Sequence, residues 1–83
     1  MTPPIIHLNG TSREALTEGY IDAYHALHSA REALQETAPN ARDFYVSPDP
    51  SAYTKARGEH DSRLASINMI MTEVMALAEA VSE

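Results

Sequence analysis

The second half of the chain repeats apolar positions at alternating spacings of four and three residues. The repeating positions in residues 51–81 are His60, Leu64, Ile67, Met71, Val74, Ala78 and Val81. A heptad repeat of this kind keeps one face of a helix against a partner helix. The pattern therefore predicts a single long helix over residues 51–81.

The first half of the chain carries a matching repeat. Its positions, again four and three apart, are Leu16, Tyr20, Ala23, Leu27, Ala30 and Leu34. This repeat predicts a helix over residues 12–38. Two helices with facing apolar stripes predict an all-α fold: an antiparallel two-helix hairpin in a single domain. Residues 1–11 form an N-terminal arm, and residues 39–50 form the connecting loop.

Capping signals set the expected ends of the first helix. Thr11 and Glu14 fit a capping box, in which each side chain accepts the backbone N–H of the other residue. The first helix is therefore predicted to begin at Ser12. Pro39 disfavours helical angles at the residue before it, which predicts that the helix ends near residue 38.

The loop holds three prolines and a bulky centre, Phe44–Val46. Because disordered segments are poor in aromatic residues, this loop is predicted to pack. Asp49 followed by Pro50 is a favourable N-cap and first helical residue. The second helix is accordingly predicted to begin at about residue 50 or 51.

The second helix changes character after Arg63. Its apolar residues then point in nearly every direction, and they are Ile67, Met69, Ile70, Met71, Val74, Met75 and Leu77. A helix that is apolar all round is buried on several sides, and one partner helix cannot cover it. The chain is short and has no cysteine, so no disulfide compensates for a small core. These features predict self-association into a helical bundle.

Net charge and hydropathy restrict the class of partner. Twelve acidic and six basic residues give a net charge of −6, which argues against a broad basic face for duplex nucleic acid. The N-terminus lacks the basic start and apolar run of a signal peptide. No apolar run approaches the roughly 20 residues of a membrane span. A soluble, cytoplasmic protein without a membrane partner is expected.

The charges separate along the predicted hairpin. The open end, residues 1–28 and 64–83, has one basic and six acidic residues, a net charge of −5. The loop end, residues 29–63, has five basic and six acidic residues, a net charge of −1. The loop end also holds Phe44, Tyr45 and Tyr53 beside the start of the second helix, whose backbone N–H groups favour an anion.

Arginine and tyrosine together can hold a phosphate and stack on a base. This predicts a ligand site at the loop end for a nucleotide or another anionic small molecule. The candidate residues are Arg42, Tyr45, Tyr53, Arg57 and His60, joined by Asn9 and Thr11 from a neighbouring subunit. In the competing interpretation, the arginines form surface ion pairs with Glu32, Glu36, Asp43 and Glu59, and such pairs contribute little.

No motif in the chain identifies a reaction. His25 and His28 lie near one face with His60 able to approach, but no H-E-x-x-H motif or carboxylate ligand completes a metal site. The serines lack a nucleophile elbow, and there is no phosphate-binding glycine loop. A non-enzymatic protein without catalytic residues, bound metal or cofactor is expected.

The arm contains Ile5, Ile6 and Leu8, which would be exposed in water. Either it packs on its own hairpin or on a neighbouring subunit, or it adds as a strand to a partner.

Two segments carry a resemblance to a known group of proteins. Residues 6–16, Ile-His-Leu-Asn-Gly-Thr-Ser-Arg-Glu-Ala-Leu, and residues 39–45, Pro-Asn-Ala-Arg-Asp-Phe-Tyr, resemble small uncharacterised proteins of tailed bacteriophages and prophages. The resemblance implies a bacterial cytoplasm during infection. It also implies an accessory role, such as an oligomeric counter-defence protein that sequesters a nucleotide signal.

Two functions from different classes follow. The first is an oligomeric binding protein that sequesters an anionic ligand. The alternative is a protein–protein adaptor or inhibitor that docks a host factor through the arm or the apolar face of the second helix. A third possibility is a structural phage component that forms open assemblies.

Overall fold

A computed structural model describes residues 1–83, and it is all-helical. Helix α1 spans Arg13–Gln35, a 3₁₀ turn spans Ala41–Asp43, and helix α2 spans Ala52–Ser82. No residue is in a β-strand. The molecule is elongated, with extents of 62 × 20 × 17 Å.

Two hydrogen bonds fix how α1 and α2 lie against each other. At the open end, Arg13 Nη1 donates to the backbone oxygen of Glu83 over 2.6 Å. Further along, Arg31 Nη1 donates to Asn68 Oδ1 over 2.8 Å. The start of α1 therefore lies beside the end of α2, and the loop lies at the opposite end of the molecule.

The core is a single row of side chains between the helices. Only four of the 83 residues are buried, and they are His60, Met71, Ala78 and Val81. All four belong to the heptad repeat predicted for the second helix. The remaining positions of that repeat, Leu64, Ile67 and Val74, are half-buried. The sequence pattern thus identified the face of α2 that contacts α1.

The predicted contact face of α1 is only partly correct. Leu16, Tyr20, Leu27 and Leu34 are half-buried as expected, but Ala23 and Ala30 are exposed. Tyr24 and Arg31 are half-buried in their place. The contact face is rotated toward these longer side chains, because an alanine methyl group adds little contact and does not fix the face.

The first residue of α1 differs from the prediction by one position. Ser12, not Thr11, is the N-cap, and its Oγ accepts the Ala15 backbone N–H over 3.1 Å. Either hydroxyl residue is a competent cap. With Ser12 as the cap, Glu14 is the second helical residue, so the predicted capping box with Thr11 does not form.

The C-terminal end of α1 is shorter than predicted. The helix ends at Gln35 rather than at residue 38. After it, the backbone N–H of Thr37 donates to Leu34 O over 3.0 Å, and that of Ala38 donates to Gln35 O over 3.2 Å. These bonds tighten the last turn before Pro39, which cannot follow a helical residue readily.

Helix α2 begins at Ala52, slightly later than predicted, and Asp49 organises the turn before it. Asp49 Oδ1 accepts the Ser51 backbone N–H over 2.9 Å and the Ser51 hydroxyl over 2.7 Å. Its Oδ2 lies 2.9 Å from Lys55 Nζ. Asp49 therefore caps the Pro50–Ser51 turn rather than the first turn of α2 itself.

The contacts of Asp49 predict a local response to acid. The Ser51 hydroxyl first, then Lys55 and the Ser51 backbone N–H, hold the pKa of Asp49 below its ordinary value. A carboxyl group with a lowered pKa in the folded state stabilises the fold above its ordinary pKa of about 3.9, and this stabilisation is lost as pH falls through the lowered pKa.

We expect the Ser51 and Ala52 amide resonances to shift in that acid range by NMR. Asp49→Asn keeps the acceptor oxygen but removes the titration. An unchanged acid profile in that variant would contradict the assignment.

The loop packs through one aromatic ring. Asn40 Oδ1 accepts the Arg42 backbone N–H over 3.0 Å and so caps the 3₁₀ turn. Phe44 stacks on Tyr53, with ring centroids 6.1 Å apart and an interplanar angle of 26°. Tyr45 and Val46 remain exposed. The prediction that the loop packs is therefore right for Phe44 and wrong for its two neighbours.

The arm makes little contact with the helices. Leu8 is 98% exposed and Ile5 is also exposed, whereas Ile6 is half-buried. The arm residues form a turn in which the Gly10 backbone N–H donates to His7 O over 3.1 Å. Of the three large apolar residues of the arm, only Ile6 is shielded from solvent to any extent.

Helix α2 bears on the expectation that the chain has no membrane-spanning segment. By length and composition alone it is apolar enough to cross a bilayer, although no such segment was expected. Core helices of soluble proteins pass the same test when they are buried. Only 17% of the apolar window of α2 is buried here, so most of it is uncovered.

Candidate ligand-binding site at the loop end

Tyr53 and Arg57 lie one turn apart at the start of α2 and contact each other. Arg57 Nη1 donates to the Tyr53 hydroxyl oxygen over 3.4 Å. Arg57 Nε lies 3.8 Å from Asp61 Oδ1, one turn further along, and both of these side chains are more than half exposed. With Phe44 stacked on Tyr53, these four side chains form a continuous row at the loop end.

Arg42 and Tyr45 lie on the loop, on either side of Phe44 in the sequence. Arg42 uses its backbone N–H for the Asn40 turn, and its exposed guanidinium makes no hydrogen bond or ion pair. Tyr45 is 82% exposed. One cationic group and one aromatic ring are therefore free to contact a ligand from solvent.

The ion pairs of the competing interpretation are not formed. The salt bridges in the structure join His28 to Glu32, Lys55 to Asp49 and Arg57 to Asp61. No arginine pairs with Glu32, Glu36, Asp43 or Glu59. Of the four loop-end arginines, Arg42 and Arg63 make no side-chain hydrogen bond or ion pair, whereas Arg31 and Arg57 have partners.

Arg63 is a basic residue that the sequence analysis did not include in the site. It makes no ion pair, and it lines an open cleft of about 670 Å³ on the outer side of α2, together with Lys55, Gly58 and Glu59. Helical spacing places Lys55, Glu59 and Ser62 on one face. That spacing is the signal by which the sequence could have identified this cleft.

His60 lies in the core and not in the candidate site. Its side chain is 4% exposed in the row between α1 and α2. The heptad repeat had already placed His60 on the contact face, so its inclusion among the ligand-binding residues is corrected here.

Asn9 and Thr11 lie at the opposite end of the molecule from Arg42 and Arg57. Helix α1, with 23 residues, separates the two ends by about 35 Å at 1.5 Å per residue. Within one chain these two residues cannot meet the loop end. They reach such a site only if a neighbouring chain presents its open end there, as the sequence analysis assumed.

A second cleft, of about 560 Å³, lies between the helices away from the loop. Its floor is Met71 and Met75, and its rim includes Tyr24, Arg31 and Glu79. The Arg31–Asn68 hydrogen bond crosses it. Because Arg31 already has a partner and Glu79 adds negative charge, this cleft is less suited to an anion than the loop end.

The histidines are dispersed over the structure. His28 Nδ1 lies 3.3 Å from Glu32 Oε1, and His25 packs edge-on to Tyr24 with ring centroids 5.9 Å apart. No three histidine, aspartate or glutamate side chains form a group that could hold a metal ion.

Comparisons with known proteins identify no relative. Neither a protein-family model, nor a curated protein, nor a solved structure matches the chain. The fold and the loop end define an all-helical protein with an exposed cluster of basic and aromatic side chains. Its function is argued from these residues.

Proposed function

We propose that the protein is a non-enzymatic binding protein that sequesters a small anionic ligand, such as a nucleotide. In this proposal the two helices form an antiparallel hairpin, and hairpins associate into a closed helical bundle. Arg42, Tyr45, Tyr53 and Arg57 contact the ligand. The observation that carries the proposal is the contact between Tyr53 and Arg57 at the start of α2, against which Phe44 holds the loop that bears the unpaired guanidinium of Arg42.

The chemistry of these residues supports a phosphate-bearing ligand. A guanidinium donates two parallel hydrogen bonds to a phosphate, and its charge strengthens them. The exposed ring of Tyr45 offers a stacking surface for a base. The Phe44–Tyr53 stack holds the loop against α2, so part of the site is ordered before the ligand arrives.

The resemblance to phage proteins suggests where this binding activity would operate. A nucleotide-sequestering oligomer in the cytoplasm of an infected bacterium would act as a counter-defence protein, by lowering the free concentration of a signal. The net charge of −6 keeps such a protein away from duplex nucleic acid.

Salt dependence tests the proposal. Purified protein is titrated calorimetrically with mono-, di- and cyclic nucleotides, and any binding is repeated from about 0.05 to about 0.5 M salt, over which the screening length falls severalfold. We expect affinity to weaken markedly at high salt because exposed arginines hold the anion. Binding that is indifferent to salt would contradict an arginine-held phosphate.

The second candidate is an adaptor or inhibitor of a host protein. The observation that favours it is the exposure of Ile5 and Leu8 on the arm and of Met69 on α2. Replacing Ile5 and Leu8 by serine would abolish capture of such a partner, and the capture itself would persist at high salt.

A further inference from the structure

One side of the α1–α2 pair carries an apolar face that the monomer leaves partly uncovered. It consists of Ile70 and Leu77 together with Ile67 and Val74 at the edge of the contact repeat, at spacings of three and four residues. None of these four residues is fully buried. Ile70 is 47% exposed, and Leu77 is only half-buried. This second repeat is typical of a helix that contacts two other helices.

The two sides of α2 differ in chemistry. The side that borders the 560 Å³ cleft carries the polar or charged residues Asn68, Thr72 and Glu79 beside Met75 and Ala76. The apolar face carries one charged residue, the exposed Glu73, three residues after Ile70 and four before Leu77. Helix α1 runs in the opposite direction to α2 beside this face. By helical periodicity, the part of α1 next to the face carries four small, exposed residues, Gly19, Ala23, Ala26 and Ala30. Small side chains let another helix approach closely.

The chain exposes more surface than a compact protein of the same mass. A compact protein of 9.1 kDa exposes about 4,900 Å², whereas this chain exposes 6032 Å². The surplus of about 1,100 Å² exceeds the roughly 800 Å² that each partner buries in an interface of standard size. The exposed arm and loop account for part of this surplus, and a second copy is large enough to cover the apolar face as well.

The charges select the orientation of that copy. In a parallel pair, the two open ends, each with one basic and six acidic residues, would lie side by side. In an antiparallel pair, the open end of one chain, with a net charge of −5, lies beside the loop end of the other, with five basic and six acidic residues and a net charge of −1. The antiparallel pair therefore has much weaker repulsion between its ends than the parallel pair, which sets two charges of −5 side by side.

We infer that a second copy of the chain covers the apolar face in an antiparallel dimer. Asn9 and Thr11 of the partner subunit then lie beside the loop end, so each ligand site is completed by both chains. The ligand site in this inference rests on the proposed function, whereas the dimer and its orientation rest on the apolar face, the surface area and the charges.

Two variants that differ by one helical position test the interface. Ile70→Glu places a carboxylate in the apolar face, whereas Met69→Glu places the same group one position away, at a residue that is 67% exposed. By light scattering with size-exclusion chromatography, we expect the wild type and Met69→Glu to have twice the chain mass. Ile70→Glu should dimerise at least about tenfold more weakly, because the interface would have to bury a charge. Equal effects of the two variants, or none, would overturn the inference.

A distance measurement tests the orientation without disturbing the interface. The chain has no cysteine, so Val46→Cys gives one spin label per chain, at an exposed position of the loop. In the antiparallel dimer the two labels lie at least about 35 Å apart, the length of α1. In a parallel dimer they lie within about 25 Å, two helix diameters. A short distance or the absence of a pair would overturn the inference.

A mixed sample tests whether the open end reaches the loop end. Chains labelled at Val46→Cys are combined with chains labelled at Thr11→Cys. A population at about 25 Å or less should appear only in the mixture. If no short distance appears, the partner subunit's Thr11 is not at the loop end.

Other occupants of the apolar face give different results. If the wild type is monomeric and sediments with phosphatidylcholine vesicles, the face binds lipid and the inference is wrong. The outcomes also separate this inference from the proposed function. If the protein is an antiparallel dimer that binds no nucleotide, the proposed function is wrong and the inferred dimer stands. If a parallel dimer binds nucleotide, the inferred dimer is wrong and the proposed function stands.

Discussion

Replacing Met71 by alanine is expected to lower the free energy of unfolding by about 2–4 kcal/mol, the range for truncating a buried long side chain. Met71 is 3% exposed and lies in the middle of the only buried row of the molecule. With four buried residues in the whole chain, no second core compensates for the loss. Because domains of this size are marginally stable, the variant should be largely unfolded at moderate temperature.

Met69→Ala is the matched control for this prediction. Met69 lies on the same helix two residues away but is 67% exposed, so its truncation should change the free energy of unfolding by less than about 0.5 kcal/mol. Urea denaturation followed by far-UV circular dichroism measures both variants. The protein concentration must be held constant, because self-association contributes to apparent stability. Equal destabilisation by the two variants would contradict the assignment of the core.

Replacing both Arg42 and Arg57 by alanine is expected to reduce nucleotide affinity by about 100-fold or more. A hydrogen bond to a charged group contributes about 1.5–3 kcal/mol, and the variant removes such bonds from two guanidinium groups. Helicity should be unchanged, because the Arg42 side chain makes no hydrogen bond or ion pair and Arg57 makes only a long bond to Tyr53, 3.4 Å, and an exposed pair with Asp61.

Arg31→Ala is the control for the charge that is removed. Arg31 already has a partner in Asn68, which lies about 16 Å along α2 from Arg57 at 1.5 Å per residue. Its replacement should leave affinity within about twofold, since a charge at that distance is screened. Calorimetric titration measures all three proteins. If the double arginine variant binds nucleotide with wild-type affinity, the ligand site is not at the loop end.

The helical architecture follows from periodicity, and the details at the helix ends do not. The repeat that includes His60, Met71 and Val81 predicted the contact face of α2 because large side chains at that spacing have no other place to be buried. On α1 the repeat included two alanines, which do not discriminate between neighbouring faces, and the actual face is rotated toward Tyr24 and Arg31. Adjacent hydroxyl residues at 11 and 12 left the N-cap undetermined.

The candidate site was predictable in composition but not in geometry. Placing the basic and aromatic residues at one end required only the order of the helices and the loop. Which aromatic ring of the loop packs depends on the path of a short irregular segment, and Phe44 rather than Tyr45 turns inward. The partners of each charge, such as Asp49 for Lys55 and Asn68 for Arg31, depend on distances between elements that no local pattern encodes.

Native mass spectrometry of the purified protein, alone and with a pool of mono-, di- and cyclic nucleotides, tests the central claim most directly. The claim is that two copies of this small helical chain complete one another and hold an anionic ligand. It predicts a dimer of the 9.1 kDa chain with one nucleotide bound per loop end. A single chain that takes up no nucleotide would contradict both parts of the claim.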